Sequence, residues 1–367
     1  MAQVTVYAQS AGMNWDASNG WNTAAGGGGT SYTNPQNGAD TFICDLNALQ
    51  VVLNVDVTVD RIQSSNLNGY LTVTTTRSIT GSDGTANVIQ HSSGGQTGMV
   101  RVSAGTLTIS TGIVANTSSG WAVVLSGTGD LVISNAGNTA VLQSGSGRGV
   151  TTAVASRLIT ITGNIVQSST GWGVTANANT CTVTITGNVS CSGNAARGVN
   201  ITNSSACTIT GDLSATQGAA VYMSNTATLA ITGNLSSEST TTALAHAIDC
   251  ITSFSGTVTW TGASTLAANT QCTINIPDGT LALADATGAL TLTCNGRLAI
   301  IMTSSATLVT TAAGGTAAIN VAASNACAAI IGFETNIIAL AGAGTVNFVG
   351  SMAPNIISRW GAVPYRV

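Results

Sequence analysis

The sequence predicts an all-β fold, a parallel β-helix solenoid built from stacked rungs of about 25 residues. Three observations predict it. An apolar pair, two residues apart and flanked by Thr or Ser, recurs at Leu107/Ile109, Leu131/Ile133, Ile159/Ile161, Val183/Ile185, Cys207/Ile209, Leu229/Ile231 and Val258/Trp260; its second members are 24, 28, 24, 24, 22 and 29 residues apart. A Gly followed by a polar turn residue closes four of these segments, at Gly163-Asn164, Gly187-Asn188, Gly211-Asp212 and Gly233-Asn234. A third column keeps the same period: Trp121-Ala122-Val123, Arg148-Gly149-Val150, Trp172-Gly173-Val174, Arg197-Gly198-Val199, Ala219-Ala220-Val221 and His246-Ala247-Ile248. Self-similarity at such a period marks a solenoid.

Each element follows from its residues. In the first column Thr residues alternate with the apolar pair (Thr160 and Thr162, Thr184 and Thr186, Thr208 and Thr210). A period of two is a half-buried strand, apolar side in and hydroxyl side out. β-branched side chains suit that pleat. Gly and Asn tolerate positive φ and so make the turn. The apolar residues that come next (Ile165, Val189, Leu213, Leu235) start a second short strand, and Val199-x-Ile201, Val221-x-Met223 and Ile248-x-Cys250 form a third. One coil cannot bury its apolar side alone, whereas stacked coils share a continuous core. The crossover preference of parallel strands sets the expected hand as right.

Three regions are expected. Residues 1–40 break the repeat, with a strand-like run from Ala2 to Ala8, then Trp15, Trp21 and the Gly26–Gly29 run, and read as a cap or attachment segment. Residues 41–351 form the solenoid, clearest over 105–262 and degenerate afterwards, where Leu308-Val309, Ile319-x-Val321 and Ile330-Ile331 continue the apolar beat. Residues 352–367, with Trp360 and Tyr365, read as a second cap or contact tail. An open terminal rung would expose unpaired strand edges, so both ends need covering.

Composition excludes several classes. Charged residues make up 6% of the chain, hydrophobic residues 44% and aromatic residues 4%, with a net charge of −4; all nine basic residues are Arg. Disordered chains combine low hydrophobicity with high net charge, the opposite pattern. The longest apolar stretch, Ala322 to Phe333, is interrupted by Ser324 and Asn325 and falls short of a membrane span. Met1 to Val6 shows no basic region leading into an apolar core, so no secretory signal is expected. Nine dispersed Arg on an acidic chain make a poor nucleic-acid ligand. The eight Cys contain no CxxC pair and are expected as reduced, buried core residues.

Catalytic chemistry finds little to draw on. The chain has two His (His91 and His246) and two Glu (Glu238 and Glu334). Carboxylate-pair hydrolysis needs two acids at one site; Asp212, Glu238 and Asp249 are the one cluster that neighbouring rungs could assemble. No catalytic residue, cofactor or metal is expected. Two features suggest binding instead. Trp121, Arg148, Trp172 and Arg197 hold one position on successive rungs and should stack as an outward ladder of rings and guanidiniums, since a buried unpaired Arg is too costly. Beside them Ala122, Gly149, Gly173, Gly198 and Ala220 are expected to face outward, a bare column that lets a second subunit approach. Trp15, Trp21, Trp360 and Tyr365 are the expected anchors at the ends.

The run of rungs, the TITGN strand ends (Thr160 to Asn164, Thr184 to Asn188) and the Trp-bearing, Gly-rich head resemble the β-helical structural proteins of tailed-bacteriophage virions. These are capsid decoration (cement) proteins, tailspikes and fibres; secreted β-helix adhesins share the architecture. The resemblance implies a homotrimer attached to other virion proteins, located in the virion, or at a cell surface if the chain is an adhesin. A polysaccharide-binding or -degrading tailspike, with host glycans as partner, is the alternative, although depolymerising tailspikes carry acidic grooves that this chain lacks. An ice-binding solenoid, suggested by the Thr-x-Thr rows, is a second alternative.

Overall fold

The computed structural model describes residues 3–36, 41–64, 68–92, 94, 98–237 and 245–250, and beyond these a series of separate strands between 257 and 349. Among the described residues there is no helix, and hence none long and apolar enough to cross a membrane. The chain divides into two compact units, Met1–Gly187 and Asn188–Val367. Each is a β-solenoid with rungs of about 24 residues.

In the first unit three flanks of parallel strands run from rung to rung. The first flank stacks Val57–Val59, Arg77–Gly81, Thr106–Ser110, the start of Asp130–Gln143, the start of Leu158–Gln167, and Thr182–Thr186. The second stacks Thr41–Asp45, Arg61–Gln63, Asn87–His91, Ile113–Asn116 and the far ends of the two long strands. The third stacks Met13–Asn14, Gln50–Val52, Tyr70–Val73, Val100–Val102, Trp121–Leu125, Arg148–Thr152 and Trp172–Ala176. The second unit repeats the plan with Ala206–Thr210, Thr228–Thr232 and Thr257–Thr261 in its first flank, Val189–Cys191, Leu213–Ala215 and Leu235–Ser237 in its second, and Arg197–Ile201, Gly218–Met223 and Ala245–Cys250 in its third. Parallel pairing continues in the strands beyond residue 262, as far as Thr345–Val349.

The core is the set of columns that the spacing expects. Ile109, Ile133, Ile161 and Ile185 are in register on successive rungs and fully buried, as are Val123, Val150 and Val174. In the second unit Ile209 pairs with Ile231, and Val199 with Val221 and then Ile248, all buried. A core residue thus meets its own kind above and below, so every rung buries the apolar side of the next.

The turn glycines are set by the same stacking. Gly163, Gly187, Gly211 and Gly233 have φ of 127°, 151°, 151° and 154°. A Cβ on Gly187 would lie 2.3 Å from the Gly163 carbonyl oxygen, and one on Gly233 would lie 2.1 Å from that of Gly211. The polar residues after Gly187 and Gly211 clamp the rungs: Asn188 Oδ1 accepts from the Asp212 N–H at 2.8 Å, and Asp212 Oδ1 accepts from the Asn234 N–H at 2.8 Å. Gly187→Ala is therefore expected to cost about 2 kcal/mol, from a left-handed backbone and a backbone clash together. Chemical denaturation measures it, and an unchanged midpoint would refute the stacked-turn account.

The start of the solenoid differs from the boundary expected at residue 41. Gln3–Ala8 pairs in parallel with Thr41–Asp45, and Met13–Asn14 with Gln50–Val52, so rung pairing begins at Gln3. What covers the open edge is a small antiparallel meander: Trp21–Asn22 pairs with Gln3–Ala8 and with Ser31–Tyr32. The run Val4-Thr5-Val6 alternates like the later strands, but no Gly-Asn turn follows it and Thr41–Asp45 lies nearly forty residues on, so the repeat spelling misses this rung.

Cys44, Cys181, Cys191, Cys207 and Cys250 are in the reduced thiol form and all buried. Burial pushes the Cys191 thiol up to about 11 and those of Cys44 and Cys207 well above their usual range, so these groups are small hydrophobes rather than nucleophiles. Cys272 and Cys294 stand on the strands Gln271–Ile276 and Thr291–Cys294, their side chains outside the described set, and Cys327 lies outside the described residues.

Candidate functional site

The ladder position lies on the outer side of the third flank. In the first unit Trp121, Arg148 and Trp172 are in register and half-buried. The Arg148 guanidinium carbon sits 4.8 Å from the Trp121 ring centre and 4.4 Å from that of Trp172. Arg148 Nη1 donates to Thr151 Oγ1 at 3.3 Å. In the neighbouring row Val124, Thr151 and Thr175 are in register and buried. Further along the flank Arg101 lies over the Tyr70 ring at 3.7 Å, and Arg101 Nε donates to the Gly98 carbonyl at 3.3 Å. Arg197, in the second unit, lies over Tyr222 at 3.3 Å and donates to Asn200 Oδ1 at 3.0 Å. Arg101 pairs with Val124 and Tyr222 with Asn200, three residues along from the ladder position, so the repeated column does not mark them.

Stacking decides what this surface can do. Each Trp face turned toward Arg148 is covered by the guanidinium, so sugar rings cannot lie flat between the plates. The guanidinium is held by its faces between the rings and by its hydrogen bond to Thr151. Cation–π contacts of this kind contribute about 0.5–2 kcal/mol each, so the ladder also ties rungs together.

The expected subunit-contact column is inside the protein. Ala122 and Ala220 are fully buried, and Gly149, Gly173 and Gly198 are buried too. Cross-rung pairing links Trp121 to Arg148 and Val123 to Val150 but skips the residue between. The chain bends there, so the small residue and the following Val both point inward. A Cβ on Gly149 would come within 2.6 Å of the Gly173 carbonyl oxygen and of Val141 Cγ1; at Gly198 the Ala220 carbonyl oxygen and Val189 Cγ1 stand at the same distance. Small side chains fill the inner corner of the coil and present nothing to a second subunit. Trp15 and Trp21 are likewise fully buried, with ring centres 4.7 Å apart, and Trp21 Nε1 donates to the Trp15 carbonyl at 2.8 Å. They close the first rung and cannot serve as surface anchors. Trp360 and Tyr365 lie outside the described residues.

Other candidates resolve into structure. Asp212 is exposed and caps a turn, as described above; Glu238 and the side chains of His246 and Asp249 lie outside the described residues. Among the described residues no three His, Cys, Asp or Glu side chains gather as metal ligands. In Gly145-x-Gly147-x-Gly149 the Gly145 and Gly147 N–H groups donate to the Asn116 and Ser118 carbonyls of the previous rung, so they cradle no phosphate. A shallow cleft of about 320 Å³ at Gln3, Asp60, Arg61, Ser82 and Asp83 was not foreseen, although Asp60-Arg61 and Ser82-Asp83 concentrate polar side chains in a charge-poor chain. Asp60 accepts from Gln3 Nε2 at 3.0 Å and from Ser82 Oγ, and Thr85 holds the Asp83 carboxyl below its usual range with backbone and hydroxyl hydrogen bonds.

One outward column is all hydroxyl. Thr58, Thr80, Ser110, Ser134, Thr162 and Thr186 follow one another in register along the first flank. The next column breaks its pattern at Val132, and the one beyond holds Asp130 and Leu158, the latter 52% exposed. No family model, curated protein or solved structure matches the chain.

Proposed function

We propose that this chain is a non-enzymatic structural protein of a tailed-phage virion, a homotrimer that decorates or stabilises the capsid or stands on it as a spike. The observation that supports the reading is the number of side chains serving as rung-to-rung clamps. Asn188, Asp212 and Asn234 tie the turns, Trp121, Arg148 and Trp172 tie one outer flank, and the isoleucine columns tie the core. Each unit is thus a stiff, self-supporting stack of rungs, suited to bearing load or projecting from a surface. The burial of the Gly/Ala column moves the subunit contact elsewhere, to the outer flanks or the ends. Mass spectrometry of purified particles, with electron microscopy to place the chain, tests the proposal. Particles lacking the chain, or a monomer in native mass spectrometry, would overturn its two parts separately.

A second reading, a host-surface adhesin or tailspike that binds polysaccharide, is favoured by the arginine–aromatic ladder. The hydroxyl column favours an ice-binding solenoid, but the breaks at Val132, Asp130 and Leu158 leave a narrow strip rather than a face, and no thermal hysteresis is expected.

A further inference from the structure

The outer side of the first flank in the first unit presents three columns of side chains, two residues apart along each strand. One holds Asp130, Leu158 and Thr182, the next Thr108, Val132 and Thr160, and the third is the hydroxyl column described above. Leu158 is 52% exposed, the one large hydrophobic side chain so exposed among the described residues. Val132 pairs with Thr160, two residues along from Leu158, so Val132 and Leu158 are diagonal neighbours on adjacent rungs, and Val132 is itself half-exposed. An apolar centre ringed by hydroxyls has the make-up of an interface. The surface is also neutral. Of the charged groups on these strands or just before them, Asp130 pairs with Arg157 at 3.6 Å and accepts from the Leu158 N–H at 2.9 Å, Asp56 accepts from the Ser78 N–H at 2.7 Å, and Arg77 donates to the Thr76 carbonyl at 2.8 Å. Two carboxylates thus balance two guanidiniums, while Asp60, Arg61 and Asp83 line the cleft at the turn to the second flank.

We propose that this surface is the subunit contact of the homo-oligomer, with Leu158 of each copy meeting its equivalents at the rotation axis. The proposal rests on the oligomer part of the reading above and names its contact. Three properties commit the surface to a second copy of this chain. A hydroxyl both donates and accepts, so hydroxyl columns are complementary to themselves. Neutrality calls for no partner of opposite charge. Copies related by an axis parallel to the solenoid stand at the same height, so rungs about 4.8 Å apart face rungs of identical spacing. Area sets the strength. Five rung steps from Thr58 to Thr186, and strands of five residues such as Thr106–Ser110, give roughly 24 Å by 17 Å, or about 400 Å². That is half of the roughly 800 Å² each partner gives to a standard interface. The association is therefore weak and concentration-dependent, and one central side chain can decide it.

The test uses the full chain in sedimentation velocity over a range of concentrations. The parent is expected to associate, with little dependence on salt. Leu158→Asp, which gathers like charges at the axis, should weaken the association about a hundredfold. Its denaturation midpoint should stay at the parent's, because the side chain is exposed in the single chain. In Leu158→Cys, mild oxidation should join two chains through residue 158, identified by peptide mapping, since equivalent residues meet at a symmetry axis. An associating parent whose Leu158→Asp variant associates equally, or a Leu158→Cys chain that forms no disulfide between two copies of residue 158, would overturn the proposal and leave the oligomer reading standing. A parent that stays monomeric at every concentration overturns the oligomer reading itself, and this contact with it.

Discussion

Ile161→Asp is expected to destabilise the protein by about 5 kcal/mol, since it forces an unpaired carboxylate into a dry column. Ile161 is fully buried, with Ile133 on one neighbouring rung and Ile185 on the other. No Arg stands on these strand segments to pair with the charge. Protonation would relieve the charge and still leave a hydroxyl and a carbonyl without partners. Ile161→Val, by contrast, removes one methylene and should cost about 1 kcal/mol. Neighbour coupling makes the Asp effect spread, because a solenoid is held together by contacts between adjacent rungs. Urea denaturation of both variants against the parent measures the difference. A loss below about 2 kcal/mol for the Asp variant would mean that the column is open to water.

The same column shows how much was legible in the sequence. Ile161 and Ile185 were readable because a Thr-x-Thr frame and a Gly-Asn turn surround them at a constant period, and stacking demands that repetition. The small residues beside the ladder were read at the right period and placed on the wrong side. A strand alternates strictly only while it is straight, and the chain bends at Gly149 and Gly173, so two neighbouring residues point inward. That bend shows only in the pairing, which passes over the Gly. The Trp15 and Trp21 indoles were readable as a cap, whereas their full burial depends on the meander at Trp21–Asn22 and Ser31–Tyr32, which no repeat announces. The arginine–ring contacts were half legible: Arg148 lies in the repeated column, whereas Arg101 stands in the neighbouring row opposite Thr72 and Val124, where no repeat marks it.

A column of buried polar side chains escaped the sequence reading altogether, and it carries the clearest pH dependence. His91, Asn116, Gln143 and Gln167 follow one another in register at the end of the second flank, and all four are fully buried. They differ in type, so no repeat pattern marks them; what they share is an amide or imidazole that reaches the nearby turn. Asn116 Nδ2 donates to the Gly120 and Arg148 carbonyls at 2.7 and 2.8 Å, and Gln143 Nε2 donates to the Gly145 carbonyl at 2.9 Å. His91 Nδ1 meets Ser118 Oγ at 2.9 Å, and its Nε2 has no hydrogen-bond partner. Burial pushes the His91 imidazole down from 6.5 to about 4, because desolvation penalises its charged form. The unfolded chain therefore takes up a proton between pH 6.5 and about 4 that the folded chain refuses. Stability from this group is complete above pH 6.5 and is lost as pH falls toward 4, about 3.5 kcal/mol in all at about 1.4 kcal/mol per pH unit. His91→Gln, which places in the column a side chain that Gln143 and Gln167 already show to fit, should abolish this loss. Asp83 titrates lower and is common to both chains, so it does not affect the comparison. Denaturation midpoints at pH 7.5 and 4.5 should separate the two proteins by about 2.5 kcal/mol more in the acid than at neutrality. An identical acid slope in His91→Gln would show that the imidazole reaches solvent and that the column is wet.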